Sequence, residues 1–386
     1  MNKLIKFYVA AFFINLTFVE TIQSIYFQYR GYSFSSISIL LAILQISQFI
    51  FEIPTGYIAD RFGKKISVIC AQLLIMTGYI ITVSTNTYYV LIIVMILIGI
   101  GNTLKTGAID ALLIDECIDE NNKDMLVQVN SISRIIYYVA YGISSLTSGV
   151  IAEYSFEMVY ILNISSLLVA IFILTRIPNK KNFTEKEDNI KYSAIYILKY
   201  IISNKYIFYS LWIELGIAFA MIPIDSFYMN YLVTTFGIST GVVGCITCIQ
   251  FIVCCFVGLF SIHAEKKIGT ALMVKGAPVI MMVLFAISVS VKEKYICLFF
   301  YFLALCAFCI YNPVMYKMTQ TNILPEYRAT VISVISIFRS ILAACTQQLF
   351  GAIADLFNMQ YSMSCLTCIS ILILLVVNWN FRKLEI

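Results

Sequence analysis

Charge is scarce in this sequence: Asp, Glu, Lys and Arg together supply 12% of 386 residues, against 61% hydrophobic residues. So small a stock of polar side chains excludes a water-soluble globule of this length, which could not cover its own surface. Histidine occurs once, at His263, and no acidic or cysteine cluster completes a tetrahedral site with it, so no metal is expected. No nucleophile stands beside a base and no phosphate-binding glycine loop precedes a soluble helix. Catalytic residues and cofactors are therefore expected to be absent, and the chain is not expected to be an enzyme. No segment mixes basic and aromatic residues in the manner of a nucleic-acid binder; the net charge of +5 reports topology instead. Cysteine is plentiful, with pairs three apart at Cys245 and Cys248, Cys306 and Cys309, and Cys365 and Cys368. All six lie in apolar runs and read as small buried hydrophobes rather than redox or zinc ligands.

What is present is a series of apolar runs of the length that crosses a bilayer core, about 20 residues each. Twelve can be counted, over 4–28, 35–58, 66–85, 88–112, 125–150, 157–177, 206–232, 238–262, 268–290, 295–320, 329–352 and 358–380. The first has basic residues ahead of it, Lys3 and Lys6, but is too long for a secretory leader and lacks a small-residue cleavage site, so it reads as a span. Basic residues in short loops stay on the cytoplasmic side. With both termini cytoplasmic, only Arg30, Lys292 and Lys294 fall in the opposite loops. A multi-pass protein of the cell membrane is expected, with the lipid bilayer as its main partner and a monomer as its working form.

Shifting the chain by 202 residues aligns Tyr26 with Tyr228, Gln48 with Gln250, Gly56 with Gly258 and the pair Lys64-Lys65 with Lys266-Lys267. The same shift lays Gly149-Val150-Ile151-Ala152-Glu153 on Gly351-Ala352-Ile353-Ala354-Asp355. The expected fold is an all-α membrane protein whose twelve transmembrane helices form two pseudo-symmetric six-helix bundles, 1–177 and 206–386. Parallel repeats of this kind occur in transporters whose site lies between the halves. Residues 178–205, with Pro178, Lys180, Lys181, Glu185, Glu187 and Asp188, read as a solvated cytoplasmic linker.

Between the second and third spans lies Gly56-Tyr57-Ile58-Ala59-Asp60-Arg61-Phe62-Gly63-Lys64-Lys65. Gly56 would admit a close neighbouring helix, Gly63 a tight turn, and Asp60 would suit the positive end of a helix. This run resembles the signature of the major facilitator superfamily. The resemblance implies a latch made by Gly56, Asp60, Arg61, Gly63, Lys64 and Lys65, with Arg61 paired to an acid at the end of the fourth span, either Asp110 or Asp115. The second copy reads Gly258 to Lys267, with Ile262 in place of the acid and His263 in place of the arginine, so an asymmetric latch is expected. Thr106-Gly107-Ala108 with Ala111 and Asp115, and Arg328-Ala329-Thr330, resemble the drug-exporter branches. The Gly-Pro and Gly-Gly pattern often found late in the fifth helix of proton-coupled exporters is missing, Ser144, Ser145, Ser148 and Gly149 standing there instead.

Nine ionisable residues fall well inside spans: Glu20, Glu52, Lys105, Asp110, Arg134, Glu214, Asp225, Lys317 and Arg339. One such charge at mid-bilayer costs roughly 3 kcal/mol even on insertion scales. Nine facing lipid would cancel a folding free energy of about 5–15 kcal/mol. Most must face water or one another. Helical spacing places Arg134, Tyr137, Tyr141, Ser145 and Ser148 on one stripe of the fifth span, and Thr17, Glu20 and Gln23 on one stripe of the first. Glu214 and Asp225 share a face of the seventh, about 16 Å apart along its axis. In the family, helices 1, 4, 7 and 10 surround a central cavity, with 2, 5, 8 and 11 beside them. The resemblance therefore implies a substrate and proton pathway lined by Glu20, Gln23, Lys105, Arg134, Tyr137, Tyr141, Glu214, Asp225, Asn312, Tyr316 and Arg339. Glu52, Asp110 and Lys317, near span ends, suit fixed ion pairs instead.

The function expected is secondary transport by alternating access: proton-coupled export of a small amphipathic organic compound or drug. Two alternatives remain, uptake or exchange of an organic anion bound by Arg134 and Arg339, and a sensor or scaffold that kept the fold without transporting.

Overall fold

The structure, a computed structural model, describes residues 3–117, 123–177, 194–324 and 327–382. Among the described residues there is no strand. The helices are α1 (Lys3–Ile14), α2 (Phe18–Tyr29), α3 (Phe34–Phe62), α4 (Lys64–Ser84), α5 (Tyr88–Cys117), α6 (Lys123–Ala152) and α7 (Phe156–Thr175), then α8 (Ala194–Ser203) and α9 (Lys205–Phe236). After these come α10 (Thr240–Leu259), α11 (Ser261–Ile268), α12 (Thr270–Ser290), α13 (Lys294–Thr321), α14 (Arg328–Leu356) and α15 (Met359–Asn380). Among the described residues twelve segments are long and apolar enough to cross a membrane, as the run lengths predict. Pro54, Pro223, Pro278 and Pro313 lie inside helices, where neighbouring helices can satisfy the backbone groups a proline frees.

The first span departs from expectation. It is two helices, because the Asn15 amide bonds back to Ala11 and Phe12 while the Thr17 amide turns to the Asn15 carbonyl at 3.0 Å. That turn takes away the donor which would have met the Phe13 carbonyl in a continuous helix. The start of α2 is held from elsewhere: Thr17 makes no side-chain cap, and the Val19 amide donates to Asn163 Oδ1 on α7 at 3.0 Å.

The chain gathers into two compact units. Unit 1 comprises Met1–Arg30, Leu40–Lys186 and Ile238–Phe251; unit 2 comprises Gly31–Ile39, Glu187–Gly237 and Ile252–Ile386. In unit 1, Phe7, Ala10 and Ile14 of α1 pack with Val68 of α4 and Ala170 and Leu174 of α7. Arg30 ends α2 by donating to the carbonyls of Thr82 and Thr85 and to Asn86 Oδ1, tying it to the α4–α5 turn.

The repeated Gly-x-Ile-Ala-acid run does the same job in each unit. In unit 1 a Cβ on Gly149 of α6 would lie 2.5 Å from the Thr240 carbonyl and 2.8 Å from Gly244 Cα, so only hydrogen fits between α6 and α10. Four residues on, Glu153 Oε1 accepts the Gly241 amide at 3.0 Å and caps the positive start of α10. The Ser239 hydroxyl and that amide hold the Glu153 carboxyl below the usual carboxylate range. In unit 2 a Cβ on Gly351 of α14 would lie 2.8 Å from the Phe34 carbonyl, and Asp355 accepts the amides of Phe34 at 2.8 Å and Ser35 at 2.9 Å, capping α3. The third copy differs, since a Cβ on Gly56 would meet nothing within 4 Å, and the same holds at Gly258. Close packing at Gly56 is thus not found.

The internal register also needs correction. Gly63 (φ 98°, ψ 141°) precedes α4 and Gly269 (φ 89°, ψ 143°) precedes α12, each starting a helix of 21 residues from a backbone that glycine alone adopts readily. These two glycines correspond, 206 residues apart, as do the starts of α3 and α10 and of α5 and α13. The shift of 202 holds at Gly149 and Gly351 but not through the loop. The second loop copy is therefore Ala264-Glu265-Lys266-Lys267-Ile268-Gly269, in which Lys266 stands where Asp60 does and an acid, Glu265, comes one residue earlier. Glu265 Oε1 accepts from Lys317 Nζ and from Thr270 Oγ1, each at 3.0 Å.

The Lys317 ammonium holds the Glu265 carboxyl below the usual carboxylate range. A lowered carboxylate pKa means that the bridge stabilises the folded state above the ordinary carboxylate pKa and is lost as pH falls through the lowered one. Lys317 is 64% exposed, so screening keeps the pair below about 1 kcal/mol. Glu265→Gln is expected to leave the thermal midpoint in acid unchanged and to lower it slightly at neutral pH. Equal midpoints at both pH values would contradict this.

The linker is not wholly solvated. Residues 178–193 lie outside the described residues, but α8 buries Ile197 and Ile201, one helical turn apart, against Ile207 and Leu211 of α9 and Val331, Val334 and Ile335 of α14. Burying each isoleucine contributes about 1.5–3 kcal/mol, enough to dock a helix of ten residues. Asn204 then separates α8 from α9, its Oδ1 accepting the amides of Tyr206 and Ile207. The cysteines differ too: Cys309 is buried and Cys248 and Cys306 half-buried, while Cys245, Cys365 and Cys368 are exposed. Among the described residues no group of three metal-capable side chains occurs.

Candidate functional site

In unit 1 the break between α1 and α2 opens onto a cavity of about 60 Å³. Of the residues expected on the pathway, Glu20 and Gln23 of α2 and Lys105 of α5 line it together. Thr17 at the break, Gln72 and Tyr79 of α4, Asn102 of α5 and Asn163 of α7 complete its polar wall. Gln72 is 1% exposed, and neither atom of its amide has a hydrogen-bond partner; Thr17 Oγ1 is likewise unpartnered. Tyr79 stands edge-on to Tyr160 at 5.6 Å and Tyr160 packs on Tyr26 at 5.0 Å, an aromatic floor behind the polar groups. Buried amides of this kind are costly without partners. Gln72, Asn102 and Asn163 were not singled out from sequence, though each is a lone neutral amide in an apolar run, which was the available signal.

Also in unit 1, α6 presents exposed Arg134 and an aromatic group in which Tyr137 lies 5.9 Å from Tyr141, and Tyr141 lies 4.2 Å from Phe251. In unit 2 the structure pairs two expected residues, Arg339 Nη1 of α14 and Glu214 Oε1 of α9, at 4.0 Å. Asp225 of α9 is exposed, as are Asn312 and Tyr316 of α13. Gln347 of α14, buried, donates to Ser226 at 3.1 Å. A larger cavity, about 320 Å³, lies at the α11 end of unit 2 beside Glu265, Lys317, Tyr206 and Asn322.

At the loop motif, Arg61 Nη1 donates to the Tyr57 hydroxyl at 3.4 Å, and Lys65 Nζ donates to the Ile177 carbonyl. The side chains of Asp60, Asp110 and Asp115 lie outside the described residues, as do those of the Gly107–Ala111 run.

The sequence profile of the Major Facilitator Superfamily matches residues 7–347. The chain belongs to this superfamily. An uncharacterized transporter of Buchnera aphidicola subsp. Schizaphis graminum (strain Sg) is 27% identical over 176 residues, 43% of this chain and 44% of that protein. Facilitated glucose transporter member 10 of solute carrier family 2, from Xenopus tropicalis, is 24% identical over 134 residues, 34% of this chain and 24% of its own. These matches span less than half the length of the curated relatives. Among solved structures, a mutant of the nucleoside transporter NupG matches with a TM-score of 0.82 at 12% identity, covering 98% of this chain and 100% of that one. The D-xylose-proton symporter matches with a TM-score of 0.70 at 15% identity, covering 97% and 95%. Identities this low establish a shared fold. Superfamily membership accounts for the twelve spans as those of a multi-pass membrane protein, and the relatives are transporters, not enzymes.

Proposed function

We propose that the chain is a secondary transporter of the cell membrane, working as a monomer with both termini cytoplasmic. It exports a small amphipathic organic compound in exchange for protons, its two six-helix halves rocking in alternating access. The observation that carries this is the polar cavity of unit 1, where Glu20 stands with the unpartnered Gln72 amide and Thr17 hydroxyl inside an apolar bundle. Intramembrane ionisable groups in such cavities mark ion and substrate paths. Glu20 and Asp225 are the proton exchangers, and Arg134, Tyr137, Tyr141, Asn312, Tyr316 and the Glu214–Arg339 pair line the substrate path. Asp60 and Arg61, with Asp110 or Asp115, act as the latch that stabilises one of the alternating states. Kinship with the drug-exporter branches rests on the motifs of the fourth and eleventh spans.

A second reading is supported by the two arginines: uptake or exchange of an organic anion, bound by Arg134 and Arg339. Proteoliposomes loaded with ethidium, a cationic amphipath, or carboxyfluorescein, an anion, and given a pH gradient of either sign separate the two. The expected result is ethidium movement against its gradient driven by protons, reduced about tenfold by Glu20→Gln or Asp225→Asn, with downhill counterflow retained. If both neutral variants still drive uphill movement, the exchange assignment fails. Transport of carboxyfluorescein alone would favour the anion reading, and transport of neither probe would favour the scaffold.

A further inference from the structure

The geometry points to a monovalent alkali-cation site of sodium size in the cavity of unit 1, at the break between α1 and α2. The cavity, about 60 Å³, is too small for an organic substrate and has room for an ion with on the order of four waters. Its donors are oxygens, the kind that hard cations take: the Glu20 carboxylate, the hydroxyl of Thr17 and the amides of Gln23, Gln72 and Asn102. Two of them, Thr17 Oγ1 and the Gln72 amide, are buried without any hydrogen-bond partner. A bound cation with its waters would satisfy both.

The break adds to this. Because the Thr17 amide turns to the Asn15 carbonyl, the Phe13 carbonyl, one residue before Ile14 of the lining, loses its helical donor, and freed carbonyls at interrupted spans are suited to coordinating sodium. Charge decides the valence. Among the described residues Glu20 is the one carboxylate on the lining, whereas sites for calcium gather several, so the lining offers one negative charge, to a monovalent cation when the Lys105 ammonium turns aside. Lys105, on the same lining, supplies a tethered ammonium that competes for Glu20. A sodium-class ion would also compete with a proton at Glu20, which joins this site to the exchange proposed above. Binding at equilibrium involves no transport step, so failure of the site and failure of the exchange are separate results.

The test uses the full-length protein in detergent, titrated with sodium chloride against choline chloride at constant ionic strength, reading the thermal midpoint and retention of radioactive sodium. Saturable stabilisation by sodium, not reproduced by choline, is expected. Glu20→Gln should abolish it. Lys105→Met, which removes the competing ammonium, should lower the half-saturating sodium concentration about threefold, and Gln72→Glu, which adds a second carboxylate, about tenfold. Both variants predict tighter binding, so a folding defect cannot imitate them. The proposal is overturned if the wild type shows no sodium-specific shift, if Glu20→Gln shifts as the wild type does, or if Lys105→Met and Gln72→Glu leave the half-saturating concentration unchanged.

Discussion

Gly149→Leu is expected to produce one of the largest drops in thermal midpoint of any single apolar substitution in unit 1. Even the first added carbon would stand 2.5 Å from the Thr240 carbonyl and 2.8 Å from Gly244 Cα, and both obstacles are backbone, which cannot rotate away. Overpacking a filled interior costs about 1–3 kcal/mol when side chains can adjust, and here the two helices themselves must part. Parting them also withdraws Glu153 from the Gly241 amide. A loss of about 3 kcal/mol or more follows. Gly351→Leu should act alike in unit 2, where the obstacles are the Phe34 carbonyl and Ser35 Cα, each at 2.8 Å. Gly56→Ala supplies the contrast: with open space around it, the midpoint should move by no more than about 0.5 kcal/mol equivalent, any defect appearing in transport rate instead. A Gly149→Leu protein melting with the wild type would show that the α6–α10 contact does not form.

The second large effect concerns the broken first span. Asn163 is 2% exposed and its Oδ1 is the acceptor for the Val19 amide, at the helix start where Thr17 gives no cap. Leucine there would leave a buried N–H with nothing to bond, at about 1–3 kcal/mol, in a setting where lipid offers no water in exchange. Asn163→Leu should destabilise the protein by about 2 kcal/mol or more, whereas Asn163→Asp, measured in acid where its carboxyl is neutral and keeps an acceptor in place, should recover over half of that loss. Unfolding in mixed micelles measures both. Equal destabilisation by Leu and Asp would mean that the amide finds its partner elsewhere.

The parts of the fold that could be read from sequence were those fixed by local chemistry. An apolar run either crosses a bilayer core or does not, so the spans and the glycine turn at Gly63 were legible. The break at Asn15–Thr17 was not, because no glycine or proline marks it and its capping group lies 144 residues away on α7. Docking of α8 was equally hidden: Ile197 and Ile201 form a face only because α9 and α14 lie beneath it. Register matching failed for a different reason. Paired lysines are common at loop ends, so Lys64-Lys65 could be laid on Lys266-Lys267 although the turn glycines fix another correspondence. Charges drew notice because each is expensive in lipid; Glu20 and Lys105 line the cavity of unit 1, and Glu214 and Arg339 form an ion pair. A lone Gln72 or Asn163 costs less and is ordinary in a span, so their convergence became visible only in three dimensions.

Unit 1 takes in Ile238–Phe251 from beyond the connector, and unit 2 takes in Gly31–Ile39 from near the chain's start. Cutting the gene at the connector would thus give two fragments, each short of a stretch its own packing needs. The first would leave the bare edge of Gly149 and the carboxylate of Glu153 to detergent, with no helix end to receive them. Reassembly from pieces should succeed only when both are synthesised in the same bilayer.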